Sequence, residues 1–366
     1  MFARRELLTA LLLTFAACKG NQPSEAPAAS GAAAAAAPKK DEGISLNGAG
    51  ATFPFPLYSK WISEYNKLNP NVKVNYQSIG SGGGIRQIVA GTVDFGATDA
   101  PMKEDEGKRA PGKLLHIPAT IGAVVVAYNL PELKSTLKLA PEALADIYAG
   151  KIKNWNDPKI KADNPDAKLP AKEISVIYRT DGSGTSAVFT DYLSKISPAW
   201  KDKIGAGKSV NWPTGLGQKG NEGVTGQVKA TPYSIGYVER AYASQNKLPM
   251  AELKNQAGKF VAPSIEAMSA AADSVEMPDE LFVSLSNAAG DGAYPITSYS
   301  YLLVYENAKD PVKGQALARY VWWGLHDGQQ FSKDLDYAPL PAKVLSKVEA
   351  RLKELRSGDT KLLSGS

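Results

Sequence analysis

Three glycine-rich segments carry the residues whose types and spacing could do chemistry: Gly80-Ser81-Gly82-Gly83-Gly84, Thr180-Asp181-Gly182-Ser183-Gly184-Thr185-Ser186 and the weaker Gly48-Ala49-Gly50-Ala51-Thr52-Phe53. Each runs toward a predicted helix start, where unpaired N–H groups and the positive end of the helix dipole favour an anion. Ser81, Ser183, Thr52 and Thr185 add hydroxyls, Phe53 adds a further donor, and Gly82, Gly83, Gly182 and Gly184 let the backbone approach a ligand without obstruction. Pro54 and Pro56 have no N–H to give. Arg179 closes a predicted strand, and its planar fork can take two oxygens of a tetrahedral anion. Asp181, two residues on, is placed to pair with that fork and fix its direction. Together these residues describe an oxyanion cradle that needs no metal and no cofactor.

Asp99 departs from that pattern. It follows the strand candidate Val93 to Ala97 at its carboxyl end, where open α/β sheets place their sites. A carboxylate facing a fully ionised anion is repulsive in a cleft poor in water, but favourable when the ligand carries a proton to donate. Phosphate keeps at least one proton near neutral pH and sulfate keeps none, so Asp99 could select between anions that size does not separate. Sites that leave a buried polar group unpaired against the wrong ligand discriminate by about 10⁴ to 10⁵. The same position would also suit a carboxylate capping a turn or a helix beginning near Pro101, and the residues alone leave both readings open.

The elements that must position these groups alternate between strand and helix. Leu57 to Leu68 has helical apolar spacing behind Pro56, Val72 to Tyr76 alternates as a strand, and glycines 82 to 84 lead into a predicted helix at Ile85 to Ala90. Ile117 to Tyr128, with Val124-Val125-Val126, reads as a buried strand. Beyond it come a helix at Pro141 to Tyr148, a strand at Ile174 to Tyr178 and a helix at Thr185 to Lys195. The chain continues with a helix at Val224 to Ala230, strands at Ile235 to Val238 and Tyr299 to Tyr305, and a helix at Val312 to Trp323. This alternation predicts an α/β fold of two lobes, each a mainly parallel sheet flanked by helices, with the ligand cleft between them. One lobe is expected at 43–125 and 285–345, the other at 126–284, with a helix end and tail at 346–366. Trp61, Trp155, Trp212, Trp322 and Trp323 are read as packing residues, because an oxyanion has no apolar face to stack.

The first residues address the chain rather than fold it. Arg4 and Arg5 precede an apolar run from Leu7 to Ala17, far short of the roughly 20 residues that span a bilayer, and Cys18 follows small residues at the cleavage point. The pattern resembles a bacterial lipoprotein signal at 1–18, with Cys18 as the lipid-modified residue. From 19 to 42 the chain is an Ala/Pro-rich tether with no large apolar residue to bury. The folded body is therefore expected in the periplasm or on the extracytoplasmic face, tethered to a membrane. Cys18 is the only cysteine, which excludes a disulfide framework. The formal charge of +5 falls by one when Arg4, Arg5 and Glu6 leave with the signal, and no run of five basic residues advertises a nucleic-acid surface.

The binding segments resemble the phosphate-binding protein family of the bacterial phosphate-specific ABC transporter. Gly48-Ala49-Gly50-Ala51-Thr52-Phe53-Pro54, Ile79 to Gly84, Thr92 to Pro101 and Arg179 to Ser186 match its signatures in order, as do Gly236-Tyr237-Val238-Glu239 and Tyr294-Pro295-Ile296-Thr297, over roughly Ile44 to Leu340. The resemblance implies a type II periplasmic-binding-protein-like fold whose lobes close over the anion through hinge strands. It also implies phosphate contacts from Thr52, Phe53, Ser81, Asp99, Arg179, Ser183, Gly184 and Thr185, with Phe53 and Gly184 acting through backbone N–H. Asp99 would accept the ligand's proton and Asp181 would steady Arg179. Gly82 stands where the family commonly has another serine. The implied partners are inorganic phosphate and the permease subunits, and the protein is expected to act as a monomer.

Two other classes compete with this reading. A phosphate-handling hydrolase would need a nucleophile with a base or a metal cluster, yet His116 and His326 are the only histidines and Ser183 has no evident base, so no catalytic residue is expected. A solute-binding protein for sulfate or molybdate would use the same helix-end donors, and Asp99 is the discriminator. A sensor or adhesin built on the same scaffold would bind identically.

Overall fold

The computed structural model describes residues 43–363. The signal at 1–18 with Cys18, and the tether at 19–42, lie outside the described residues. Eight strands form one sheet: β1 (Ile44–Gly50), β2 (Val72–Ser78), β3 (Phe95–Thr98), β4 (Leu114–Asn129), β5 (Ser175–Arg179), β6 (Leu216–Gln218), β7 (Ser234–Glu239) and β8 (Thr297–Tyr305), in the order β2-β1-β3-β8-β4-β7-β5-β6. At one end β1 pairs in parallel with β2 and β3, and at the other β5 pairs in parallel with β6 and β7. The centre is antiparallel, β8 lying between β3 and β4 and β4 against β7.

The structure refines the expectation of mainly parallel sheets in one respect. Parallel pairing is confined to the two ends, and β4 joins them, pairing β8 from Leu114 to Ala123 and β7 from Val124 to Asn129. Nearly every residue of this 16-residue strand is buried, which is why it reads as an unbroken apolar run: both faces are covered. The β4–β8 register shifts between Ser300 and Tyr301, opposite Pro118 and Thr120, where proline has no N–H to offer the ladder.

Helices cover the sheet through apolar stripes. Those that shape the core and the site are α1 (Phe55–Leu68), α2 (Ser81–Val89), α3 (Gly184–Ile196), α4 (Gly220–Ala230), α5 (Arg240–Gln245), α6 (Pro311–Leu325) and α7 (Ala342–Leu352). In α1, Pro56 sits in the first turn and Leu57, Tyr58, Trp61 and Tyr65 form the buried face. Trp61 Nε1–H donates to the Gly328 carbonyl at 2.8 Å, and Tyr65 packs on Tyr320 and Trp323 of α6. Replacing Trp61 with alanine would cost about 3–5 kcal/mol. The last helix, α7, runs past residue 345, and beyond it Leu355 and Leu362 return to the core. Trp61, Trp155 and Trp200 are fully buried, as packing requires.

Candidate functional site

The carboxyl ends of β1, β3 and β5 and the first turns of α2 and α3 converge. Thr52 and Phe53 follow β1, Asp99 follows β3, Arg179 ends β5, Ser81 opens α2, and Ser183 caps α3 ahead of Gly184 and Thr185. All eight are buried, Arg179 the most exposed of the seven with a side chain at 3%. Contacts tie them into one site. A Cβ built on Gly184 would lie 2.3 Å from Ser81 Oγ and 2.4 Å from Asp99 Oδ2. Arg179 Nη1 reaches Thr185 Oγ1 at 3.4 Å, and an amide bridges Thr185 to Thr52.

Arg179 is held as its sequence neighbours imply. Nε donates to Asp181 Oδ1 at 2.7 Å and Nη2 to Asp181 Oδ2 at 2.6 Å. That edge of the guanidinium is spent on Asp181, so a ligand meets Nη1 and the remaining Nη2 hydrogen. Burial pushes Asp181 up, but the Arg179 bonds and charge, with the Gly220 N–H at 3.0 Å, hold it below the usual carboxylate range.

Asp99 is the opposite case. Burial pushes its carboxyl up to about 7, against the pull of the Ser300 hydroxyl, the Arg179 charge and Ser81. Ser300 Oγ donates to Oδ1 at 2.8 Å, and Ser81 Oγ lies 3.3 Å from Oδ2. Oδ2, beside Gly184, accepts only that longer Ser81 bond and is the less engaged of the two oxygens. Asp99 caps no helix: the nearest, Glu104–Lys108, is capped by Lys103 and Glu106. Two hydroxyls are turned into donors by what they accept. Ser183 Oγ takes the Ser186 N–H at 3.0 Å, and Thr52 Oγ1 takes the Asn221 amide at 2.8 Å.

The glycines differ from expectation in detail. The stretch 82–84 does not lead into a helix but forms its first turn, because Gly80, at φ +84°, makes the bend one residue before Ser81. Gly82 does not offer its N–H to the site; it donates across to the Gly182 carbonyl at 2.8 Å, while Gly84 donates to Gly80. These two glycine segments pack against each other: a Cβ on Gly182 would lie 3.2 Å from Gly82 Cα. A side chain on Gly80 would strike Asp181 Oδ2 at 2.3 Å. Nearby, Lys208 Nζ reaches Glu106 Oε2 at 2.9 Å, and the Lys208 carbonyl takes the Ser183 N–H at 2.8 Å.

Four residues behind the site were not found by sequence reasoning. Asn221 bridges the two threonines, and Ser300 orients Asp99. Tyr242 donates to the Thr52 carbonyl at 2.6 Å, polarising the peptide whose N–H belongs to Phe53, and Tyr337 donates to the Phe53 carbonyl at 2.6 Å. None carries a spacing signal: Asn221 sits in Gly220-Asn221-Glu222-Gly223, which reads as a turn, and Ser300 lies inside an aromatic strand. The two histidines are engaged elsewhere, His116 accepting the Met102 N–H and His326 between the Trp322 carbonyl and Glu349.

A family model described as a PBP superfamily domain matches residues 24–323. The phosphate-binding protein PstS of Pasteurella multocida (strain Pm70) is 50% identical over 323 residues, covering 87% of this chain and 93% of that protein. The chain belongs to this phosphate-binding protein family. PstS of Haemophilus influenzae is 49% identical, covering 84% of this chain and 92% of its own, and PstS of Methanocaldococcus jannaschii is 44% identical over 80% and 81%. Among solved structures, the phosphate-binding protein from Stenotrophomonas maltophilia superposes with a TM-score of 0.66 at 20% identity, covering 84% of this chain and 93% of that one. A putative phosphate ABC transporter substrate-binding protein from Clostridium perfringens gives 0.61 at 17% identity, over 81% and 100%. These superpositions establish the type II periplasmic-binding-protein-like fold.

Proposed function

We propose that this chain binds inorganic phosphate outside the cytoplasmic membrane and delivers it to an ABC permease for import. It is a binding protein and not an enzyme. Membership in the phosphate-binding family supports this reading, and one observation carries the choice of anion: a buried carboxylate, Asp99, stands among donors, with one oxygen engaged by Ser300 and the other turned to the site. Thr52, Ser81, Ser183 and Thr185 give hydroxyl protons, Phe53 and Gly184 give backbone N–H groups, and Arg179 gives its free edge, steadied by Asp181. Asp99 Oδ2 and one phosphate oxygen share a single proton. Sulfate brings none, so at neutral pH and above it meets a bare carboxylate.

The lobes in this reading are 43–125 with 285–345, and 126–284, with β4 and the segment ahead of β8 passing between them as the hinge. Cys18 carries the lipid that tethers the body, and the protein serves its permease as a monomer. Calorimetric titration with phosphate, sulfate and molybdate, together with phosphate uptake by cells deleted for the gene, tests the proposal. Preferential phosphate binding and loss of uptake are expected. Equal binding of sulfate would refute the choice of anion, and undiminished uptake would refute the transport role.

A further inference from the structure

Asn221, in the first turn of α4, is fully buried and touches the site from behind. Its Oδ1 accepts the Glu239 N–H at 2.9 Å, which fixes the orientation of the amide: a flipped side chain would set donor against donor. Nδ2 therefore faces the other way, with one hydrogen to Thr52 Oγ1 at 2.8 Å and the other to Thr185 Oγ1 at 3.1 Å. Thr52 Oγ1 also takes the Asn221 backbone N–H at 3.3 Å, and Thr185 Oγ1 takes Arg179 Nη1 at 3.4 Å. A hydroxyl has two lone pairs and one proton. On both threonines the lone pairs are occupied, and only the proton is left.

We infer that Asn221 is a positioning residue that turns the Thr52 and Thr185 hydroxyls into obligate donors, so that bound phosphate must present unprotonated oxygens to both. The inference rests on the phosphate reading above and adds to it a rule for where the proton sits. With both threonines closed as acceptors, a protonated ligand oxygen finds its acceptor at Asp99. Asn221 thus removes Thr52 and Thr185 from the acceptors open to the ligand's proton. It also spans the meeting of the halves, since Thr52 follows β1 while Thr185 and Asn221 belong to α3 and α4.

A double-mutant cycle on the full folded body tests this, with inorganic phosphate as the titrant at one fixed pH. Asn221→Asp keeps the shape and the acceptor for Glu239 N–H, but presents a carboxylate oxygen to the threonines and draws their protons away from the ligand. Phosphate affinity is expected to fall about 100-fold. Thr52→Val alone should weaken binding roughly tenfold, yet in the Asn221→Asp background it should cost almost nothing, because that proton already points elsewhere. Losses that multiply independently would mean that Asn221 acts only through charge or packing and would overturn the inference. Should Asn221→Asp fail to fold, Asn221→Ala with the same Thr52→Val partner reads the same coupling, submultiplicative if the inference holds and multiplicative if it does not. Wild-type protein that fails to bind phosphate would refute the proposed function itself, a result distinct from either outcome of the cycle.

Discussion

Gly184 packs directly against Ser81 and Asp99, and its lack of a side chain is what allows the contact. A methyl group on Gly184 would fall within 2.4 Å of Ser81 Oγ and Asp99 Oδ2, closer than any Cβ sits in a relaxed structure. Gly184→Ala is therefore expected to lower phosphate affinity roughly 10- to 100-fold, measured by titration calorimetry. An unchanged affinity would mean that Gly184 does not sit this close to Ser81 and Asp99 around the bound anion. At this scale the sequence was a good guide to groups that signal locally. Arg179 and Asp181 stand two residues apart, and their pairing could be inferred from that spacing. Ser300 could not be, because it lies 201 residues from the carboxylate that it orients. Only the antiparallel seating of β8 beside β3 brings it there.

The elements that carry the site are strand ends and helix starts, and the βα alternation made most of them legible. What the pattern hid follows from glycine. In α2 the run 82–84 has no side chains to show helical periodicity, so the apolar residues alone mark a start that comes too late. In α4 the glycines at 220 and 223 concealed a first turn that contributes Asn221. Between elements, the Lys208–Glu106 pair links the loop that holds the α3 cap to the segment after Asp99, with side chains 13% and 19% exposed. A partly shielded pair of this kind is worth about 1 kcal/mol. Lys208→Met is expected to weaken phosphate binding about fivefold at low salt, with the difference shrinking in roughly 1 M salt as screening sets in. A loss that does not respond to ionic strength would show that the pair matters through packing instead.

For the whole molecule, an eight-stranded main sheet with parallel ends and an antiparallel centre explains why the βα alternation was legible while the central pairing was not: β4 is continuous, and nothing in its composition marks where one partner strand gives way to another. The buried acid at its site sets a pH dependence of stability. Asp99 has its folded pKa raised to about 7 from an ordinary 3.8. Its contribution to ligand-free stability is therefore fully present below pH 3.8, declines through the window up to about 7 and is gone above it. Asp181, Asp146 and Asp191 are displaced the other way: their contribution is present above the ordinary carboxylate range and is lost only as the pH falls below it. Glu239, raised by burial, tilts the dependence the same way, while His116, lowered by burial to about 4, tilts it the opposite way over the same window. The Asp99 share is read as the wild-type unfolding free energy minus that of Asp99→Asn, both ligand-free, which should fall by a few kcal/mol between about pH 4 and 7, at a slope of at most about 1.4 kcal/mol for each tenfold fall in proton concentration. A difference that stays constant across the window would contradict the burial of a free carboxyl there. The same proton decides selectivity, and sulfate reads it most directly. Sulfate can bind only when Asp99 is itself protonated, so its affinity for the wild-type protein, titrated by calorimetry from about pH 5 to 9, is predicted to level off below about 7. Above that it should fall by up to about tenfold per pH unit, while Asp99→Asn binds sulfate with no such dependence. Sulfate binding that is tight and independent of pH in the wild-type protein would contradict the account.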